Sequence, residues 1–307
     1  MIRKIDKTLI LLKSAADHTR LRLLAVLAHG ELTVGELTQV LQQSQPRISR
    51  HLKLLCAAGL LDRYKEDHSV YYRLPVAEED PLRQLPLYLD ITDPLLQQDR
   101  QRHDAVIADR ARRATDRLAE QTAVGQMDDT LTPTVGDLLV NELSPEPLGE
   151  VLDVGTGAGY LLKTLAPQVK RAMGVDISSD ALQLARTQVQ GAGFSHCVFR
   201  RADMYSLPCA ADEFDTVTMG RVLAQAADPV AALTEAARVL RPGGRLVLID
   251  DFDELDTLAD SNPMALLSRW LQAAGLSCER VRPVDTATSH LLITIARRPL
   301  IRLQEVA

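Results

Sequence analysis

The 307-residue sequence has no uninterrupted apolar stretch of the length a membrane helix needs, and its opening residues, MIRKIDKTLI, lack the apolar region of a secretory signal. A cytoplasmic protein with no membrane partner is expected. Cysteine is scarce: Cys56, Cys197, Cys209 and Cys278 stand far apart, which suits neither a zinc site nor a disulfide framework and leaves buried thiols as the expectation. Acidic residues are missing from the whole stretch between Glu36 and Asp62, in the middle of which Arg47, Arg50, His51 and Lys53 cluster. The formal charge of -6 conceals this asymmetry, because residues 1–75 carry 12 Lys and Arg against 7 Asp and Glu while the remainder carries 23 against 34. A basic head on an acidic body points to a polyanion bound at one place. With 46% apolar and 25% charged residues, the chain is long enough to bury two cores.

The first 75 residues divide into short helical patterns. Ile5, Leu9, Leu12 and Ala16 share a helical face, and after Asp17 a second helix carries Leu21, Leu24 and Leu27 as far as Gly30. Thr33 and Glu36 have the spacing of a capping box at the start of a third helix packed through Leu37, Val40 and Leu41. Ser44 is expected to cap a fourth helix, with Pro46 in its first turn and Gly59 beyond its end. On that helix Ile48, Leu52 and Leu55 form the apolar face, Ser49, Arg50 and Lys53 lie opposite, Arg47 and His51 flank them, and Gln45 stands at the start. Two short helices, the second presenting Arg, Lys and Ser outward, suit the major groove of double-stranded DNA. LLDRYK and VYYRL then alternate like a hairpin, a wing whose Lys65, His68 and Arg73 are candidates for phosphate or minor-groove contact.

The passage from Ala16 to Leu74, and SQPRISRHLKLL above all, resembles the ArsR-type winged-helix regulators. The resemblance implies a dimeric repressor that reads a palindromic operator and dimerises through its first helix. Many members sense metals through cysteines in an ELCVCDL-like segment. Here the segment is ELTVGEL, so Thr33 and Gly35 occupy the two cysteine places and a thiolate metal site is excluded there.

Pro75 to Pro94 is punctuated by proline and carries Glu78, Glu79 and Asp80, as an exposed connection would. From Leu95 to about Val124 neither Gly nor Pro intervenes, and a long helix is expected. Its thin apolar stripe, Leu95, Val106, Ala114 and Leu118, suits packing on a partner protomer or on the second domain. The interleaved Asp99, Asp104, Asp109, Asp116 and Glu120 favour a solvated or dimer-facing helix over a DNA-facing one.

In VLDVGTGAGY, residues 151–160, an apolar run ends in Gly155, Gly157 and Gly159 before LLKTLA resumes helical spacing, so a buried strand leads through a glycine loop into a helix. Asp176 closes the next apolar run about 20 residues on, where a carboxylate can hold both hydroxyls of a ribose. The dinucleotide fingerprint needs its third glycine one place later, and that place is Tyr160; a nucleoside without a pyrophosphate is the better fit.

This pattern resembles motif I of the class I S-adenosylmethionine-dependent methyltransferases. Asp203-Met204, Leu207-Pro208, EFDTVTMGRVL and ARVLRPGGRLVLID continue the resemblance in order, over roughly residues 131–296. It implies S-adenosylmethionine or S-adenosylhomocysteine as ligand, with Gly155 and Gly157 facing the amino-acid part, Asp176 the ribose and Asp203 the adenine amino group. Asp153, Thr156, Gly159, Ile177, Met204 and Gly220 complete the candidate site. The fold class expected is thus two-domain: a winged helix-turn-helix, mainly α with a β-hairpin wing, over residues 1–75, and a doubly wound, Rossmann-like α/β methyltransferase fold over 131–307. Residues 76–130 form the linker and long helix, a dimer contact.

Binding such a nucleoside and using it are separate matters. Where related small-molecule methyltransferases often read RVLHH after the fourth strand, this chain reads Arg221-Val222-Leu223-Ala224-Gln225, with no titratable group in either histidine place. The acidic segment DDFDELDTLADSNP is short for part of an acceptor lid, and no Asn-Pro-Pro-Tyr or Pro-Cys segment marks DNA as the acceptor. A regulator with the nucleoside as effector is the expected function. The alternative is an active methyltransferase of a small molecule or protein, carrying its own DNA-binding module.

Overall fold

Asp17 ends the first helix, α1 (Ile5–Ala15), and starts the second, α2 (His18–Leu27), because its carboxylate accepts from the Arg20 N–H at 3.1 Å. In this computed structural model of the chain, residues 5–75, 85–121, 133–143, 146–258, 262–286 and 289–300 are described. The expected link residues Glu78, Glu79 and Asp80 and the expected end of the long helix at Val124 lie outside them. The chain divides into two units, residues 1–116 with 190–195, and residues 117–189 with 196–307.

In the first unit β1 (Leu32–Thr33) leads into α3 (Val34–Leu41), and the capping box forms as its spacing requires: Glu36 N–H donates to Thr33 Oγ1, and the Glu36 carboxylate accepts from Thr33 N–H at 2.7 Å. α4 (Gln45–Ala57) follows, with Pro46 in its first turn; Ser44 stands at the N-cap without a side-chain hydrogen bond, contrary to expectation. Leu23, Leu24, Leu27, Leu37, Val40, Leu41, Ile48, Leu52 and Leu55 close one core. The wing is a hairpin of β2 (Asp62–Glu66) and β3 (Ser69–Arg73), and β1 pairs with β3 to complete a three-stranded sheet. A two-residue strand has too short a period to be read from sequence. The α1 face expected to pack is open instead: Ile5 is 78% exposed and Leu9, Leu12 and Ala16 are exposed, while Leu11 and Ala15 supply the buried contact.

The long helix α5 (Pro94–Gln121) lies against the winged helix along much of its length. Asp99, only 1% exposed, receives Arg22 Nε at 2.6 Å and Arg22 Nη2 at 2.7 Å, and Arg22 also donates to the Leu41 carbonyl at the end of α3. Arg110 donates to Glu36 at 2.7 Å and to the Glu31 carbonyl at 3.3 Å. The contact stripe is therefore Asp99, His103, Val106 and Arg110, half of it charged, and Leu95 is exposed. The reading of Asp99 as solvated is corrected: it is a buried ion-pair partner. The expected connection does not stand apart, since α5 as far as Asp116 groups with the winged helix.

The second unit begins its described part with α6 (Pro133–Leu143) and alternates β4 (Glu150–Val154), α7 (Tyr160–Leu165), β5 (Arg171–Asp176), α8 (Ser179–Ala185), β6 (Cys197–Arg201), β7 (Phe214–Gly220), α9 (Pro229–Val239) and β8 (Leu240–Asp251). Two further helices, α10 (Phe252–Leu258) and α11 (Pro263–Ala273), precede an antiparallel pair, β9 (Ser277–Asp285) and β10 (His290–Arg297). The seven strands lie in the order β6-β5-β4-β7-β8-β10-β9, and β4 to β8 run parallel while β10 runs against β8. Successive strands go outward from β4 in one direction and then, from β7, in the other. A crevice at the carboxyl end of β4 follows from that reversal.

Candidate functional site

On α4 the apolar face (Ile48, Leu52, Leu55) is fully buried, so helical spacing places Gln45, Arg47, Ser49, Arg50 and Lys53 on the exposed side, where all five are found. Lys65 and His68 are exposed on the wing, near the hairpin tip formed by Asp67 in a left-handed conformation (φ 51°). Two of the nine candidate DNA residues are placed differently. His51 is half-buried with Nδ1 3.6 Å from Asp17, and burial, only partly opposed by the Asp17 charge, lowers its pKa. Arg73 lies 3.9 Å from Asp62 with its guanidinium 5.7 Å from the centre of the Tyr64 ring, bracing the hairpin.

At the carboxyl end of β4 the three glycines of the loop all have positive φ, of 71° (Gly155), 52° (Gly157) and 83° (Gly159), but for different reasons. A Cβ on Gly155 would meet Val222 Cγ1 at 2.2 Å, and one on Gly159 would press on Ala185 and Val189 at 3.0 Å. Those two serve packing. Only at Gly157 does a Cβ face open space, so the expected close approach of a ligand to the main chain narrows to this residue. Its N–H donates to Asp176 Oδ2 at 2.9 Å, and Asp176 Oδ1 accepts from Ser178 N–H at 2.8 Å. The carboxylate is thereby oriented before any ligand arrives, and each oxygen keeps a lone pair for a hydroxyl. Ile177 beside it is 64% exposed, an apolar surface open to a flat ring.

Beneath the loop Asp153 is buried, accepts from Thr218 Oγ1 at 2.6 Å, and is pushed up to about 6 by burial, with the charge of Asp176 adding to the effect. Thr156 is buried beside it, and Gly220 borders open space at the end of β7. Asp203 is exposed; its carboxylate turns back to accept from Tyr205 N–H at 3.0 Å, and Met204 is half-buried against the core.

The acceptor side, where sequence offered no base, is not empty of chemistry. Arg221, left-handed at φ 55°, leaves β7 with its N–H on the Ile249 carbonyl at 2.7 Å and its guanidinium on Glu254 Oε1 at 2.9 Å. Asp250, at 1% exposure, is pushed up to about 7 by burial and by the Glu254 charge, against the pull of the Leu223 amide and of Arg221. A pocket of about 400 Å³ opens between Ala224, Gln225, Asp253, Glu254 and Thr257. Sequence reasoning missed these groups because the acidic segment, read as a lid, is the first turns of α10. The signal available was the acid Asp250 inside an otherwise apolar strand.

The family model for bacterial regulatory proteins of the arsR family matches residues 17–63, and that for a methyltransferase domain matches residues 152–248. Over 74 residues the chain is 47% identical to the arsenic resistance transcriptional regulator ArsR1 of Pseudomonas putida, covering 24% of this chain and 58% of that protein. Over 110 residues it is 33% identical to the uncharacterized methyltransferase YcgJ of Bacillus subtilis, covering 36% of this chain and 44% of that one. The chain thus spans less than two thirds of either relative. The solved structure of YcgJ aligns with a TM-score of 0.47 at 16% identity, covering 55% of this chain and 99% of the other.

Proposed function

Because the chain joins an arsR-type regulatory domain to a class I methyltransferase domain, we propose that it is a dimeric cytoplasmic repressor that binds an operator and takes S-adenosylmethionine or S-adenosylhomocysteine as effector. The observation that carries this reading is the glycine loop: its only open glycine, Gly157, already holds the Asp176 carboxylate. An oriented acid for a ribose, an exposed Ile177 beside it and Asp203 on the next strand end fit an adenosyl group. On the other unit, five exposed residues of α4 and the wing residues Lys65 and His68 supply the basic surface for DNA. The open Ile5, Leu9 and Leu12 face of α1 supports self-association, since an exposed apolar stripe of this kind favours a covering partner. For regulation the nucleoside must favour one dimer geometry, and a coupling of about 1 to 3 kcal/mol changes operator affinity roughly 5- to 150-fold.

Calorimetric titration of both nucleosides tests the ligand assignment. Wild type is expected to bind at least one of them and Asp176→Ala neither; unchanged affinity in the variant would refute the ribose role.

A second reading, an active methyltransferase, is favoured by the buried Asp250 and the neighbouring Glu254 on the acceptor side. When bound, S-adenosylmethionine supplies an electrophilic methyl group; this chain would supply orientation and a carboxylate able to take a proton near neutral pH. Release of S-adenosylhomocysteine in the presence of an acceptor would establish that reading, and its absence across acceptor classes would leave the effector role.

A further inference from the structure

We propose that the pocket between the end of β7 and α10 is a binding site for a small organic cation, an alkylamine or a compound bearing an ammonium group. This rests on the second unit being a small-molecule receptor, as above, but not on the nucleoside assignment.

Ala224 and Gln225 form one side of the pocket and Asp253, Glu254 and Thr257, one helical turn of α10, form the other. Its volume of about 400 Å³ falls within the range of small-molecule sites. Val222, two residues before Ala224, is the side chain that meets Gly155, so the pocket lies on the end of the sheet that carries the glycine loop.

Asp250 supplies the independent pointer to a ligand. Strand alternation sets it on the same face of β8 as Leu246 and Leu248, which pack with Leu223 and Leu255, the neighbours of the pocket residues Ala224 and Glu254. The charges that bear on it are those of Glu254 and Arg221, so its carboxyl is turned to the pocket wall. Neither of its oxygens makes a hydrogen bond, and Glu254 Oε2 is likewise without a partner, its other oxygen being taken by Arg221. A buried carboxyl left this way costs free energy that a donor cation would offset.

The surrounding charges select the sign of that donor. Asp250, Asp251, Asp253, Glu254 and Asp256 crowd the end of β8 and the start of α10, while the cations facing them are Arg221, committed to Glu254, and His290, committed to Asp285 at 2.8 Å. An anion would be repelled and a neutral ligand would leave the carboxylates unpaired. Among the described residues no group of three or more His, Cys, Asp or Glu is placed to hold a metal ion, so the carboxylates are spaced for a larger, organic cation. The Ala224 and Thr257 methyl groups then offer contact to its carbon chain.

The test is calorimetric titration of the full chain with 1,4-diaminobutane, against butane-1,4-diol as neutral isostere and succinate as anion. Saturable one-to-one binding of the diamine alone is expected, weakened at least tenfold in Asp253→Asn and in Glu254→Gln. Because Glu254→Gln also releases Arg221, the exposed Asp253→Asn variant guards against a folding artefact, and circular dichroism must show both folded. S-adenosylhomocysteine titrated into the same variants separates the two assignments, since failure of the nucleoside reading would leave diamine binding in place. No diamine binding, equal binding of the diol, or diamine affinity unchanged in both folded variants would overturn the proposal.

Discussion

Arg110 donates to Glu36 at 2.7 Å while the same carboxylate closes the capping box of α3 through Thr33, so one buried acid joins the first helix of the helix-turn-helix to the long helix α5. At the other end of α3, Arg22 links the Leu41 carbonyl to Asp99 of α5. The orientation of α3, and of α4 packed on it, is thereby tied to α5 at two points.

Removing one partner of that buried pair strands the other. Glu36→Gln or Arg110→Met is expected to cost about 3 to 5 kcal/mol, and the double variant to cost less than the two together. Urea unfolding checks this, and full additivity would show that the groups act separately. Burial raises the pKa of Glu36, but the Arg110 charge and the hydrogen bonds from Arg110 and Thr33 outweigh it and lower the pKa below its ordinary 4.5. The stabilisation is then present above that value and is lost as pH falls through the lowered one.

The glycine loop separates fold from binding. Gly155→Ala is expected to destabilise the protein through the clash with Val222 as well as its backbone, whereas Gly157→Ala meets no atom and carries only left-handed strain, about 1 to 2 kcal/mol. Melting temperature set beside nucleoside affinity should show Gly155→Ala losing mainly stability and Gly157→Ala mainly affinity. The reverse order would contradict the assignment of the open position.

On α4, Arg50→Ala is expected to cost about 1 to 3 kcal/mol of specific operator binding if the side chain reads a base edge. Lys65→Ala should instead weaken binding to all sequences alike and lower the salt dependence. Competition between operator and random duplex, repeated at two salt concentrations, distinguishes them; a uniform loss for Arg50→Ala would make it a phosphate contact.

Asp250 should set a pH dependence opposite to that of Glu36. Its folded pKa of about 7 exceeds its ordinary 3.8, chiefly through burial, so the folded protein binds the proton more tightly and stability falls as pH rises from about 4 towards 7. A shift of this size is worth at most about 4 kcal/mol. Asp250→Asn should flatten that slope in denaturant titrations across the range, and an unchanged slope would mean that Asp250 is ionised throughout at no cost.

Much of this architecture was legible in the sequence because it rests on local rules. The Thr33–Glu36 box, Asp17 as a helix start, Ile48, Leu52 and Leu55 as one face, and a glycine loop between β4 and α7 each follow from residue type and spacing. What escaped notice depends on partners distant in sequence. Asp99 and Arg110 look solvated until Arg22 and Glu36 are brought to them, and His51 faces Asp17 across two helices. In the same way only packing distinguishes Gly155, against Val222, from the open Gly157.

The account turns on occupancy of the glycine loop altering the grip on DNA. The most direct measurement is operator affinity of the full chain with and without saturating S-adenosylmethionine or S-adenosylhomocysteine, using Asp176→Ala as control. A change of roughly 5-fold or more, seen in wild type and missing from the variant, is the expected result. Identical affinity with and without each nucleoside would contradict it.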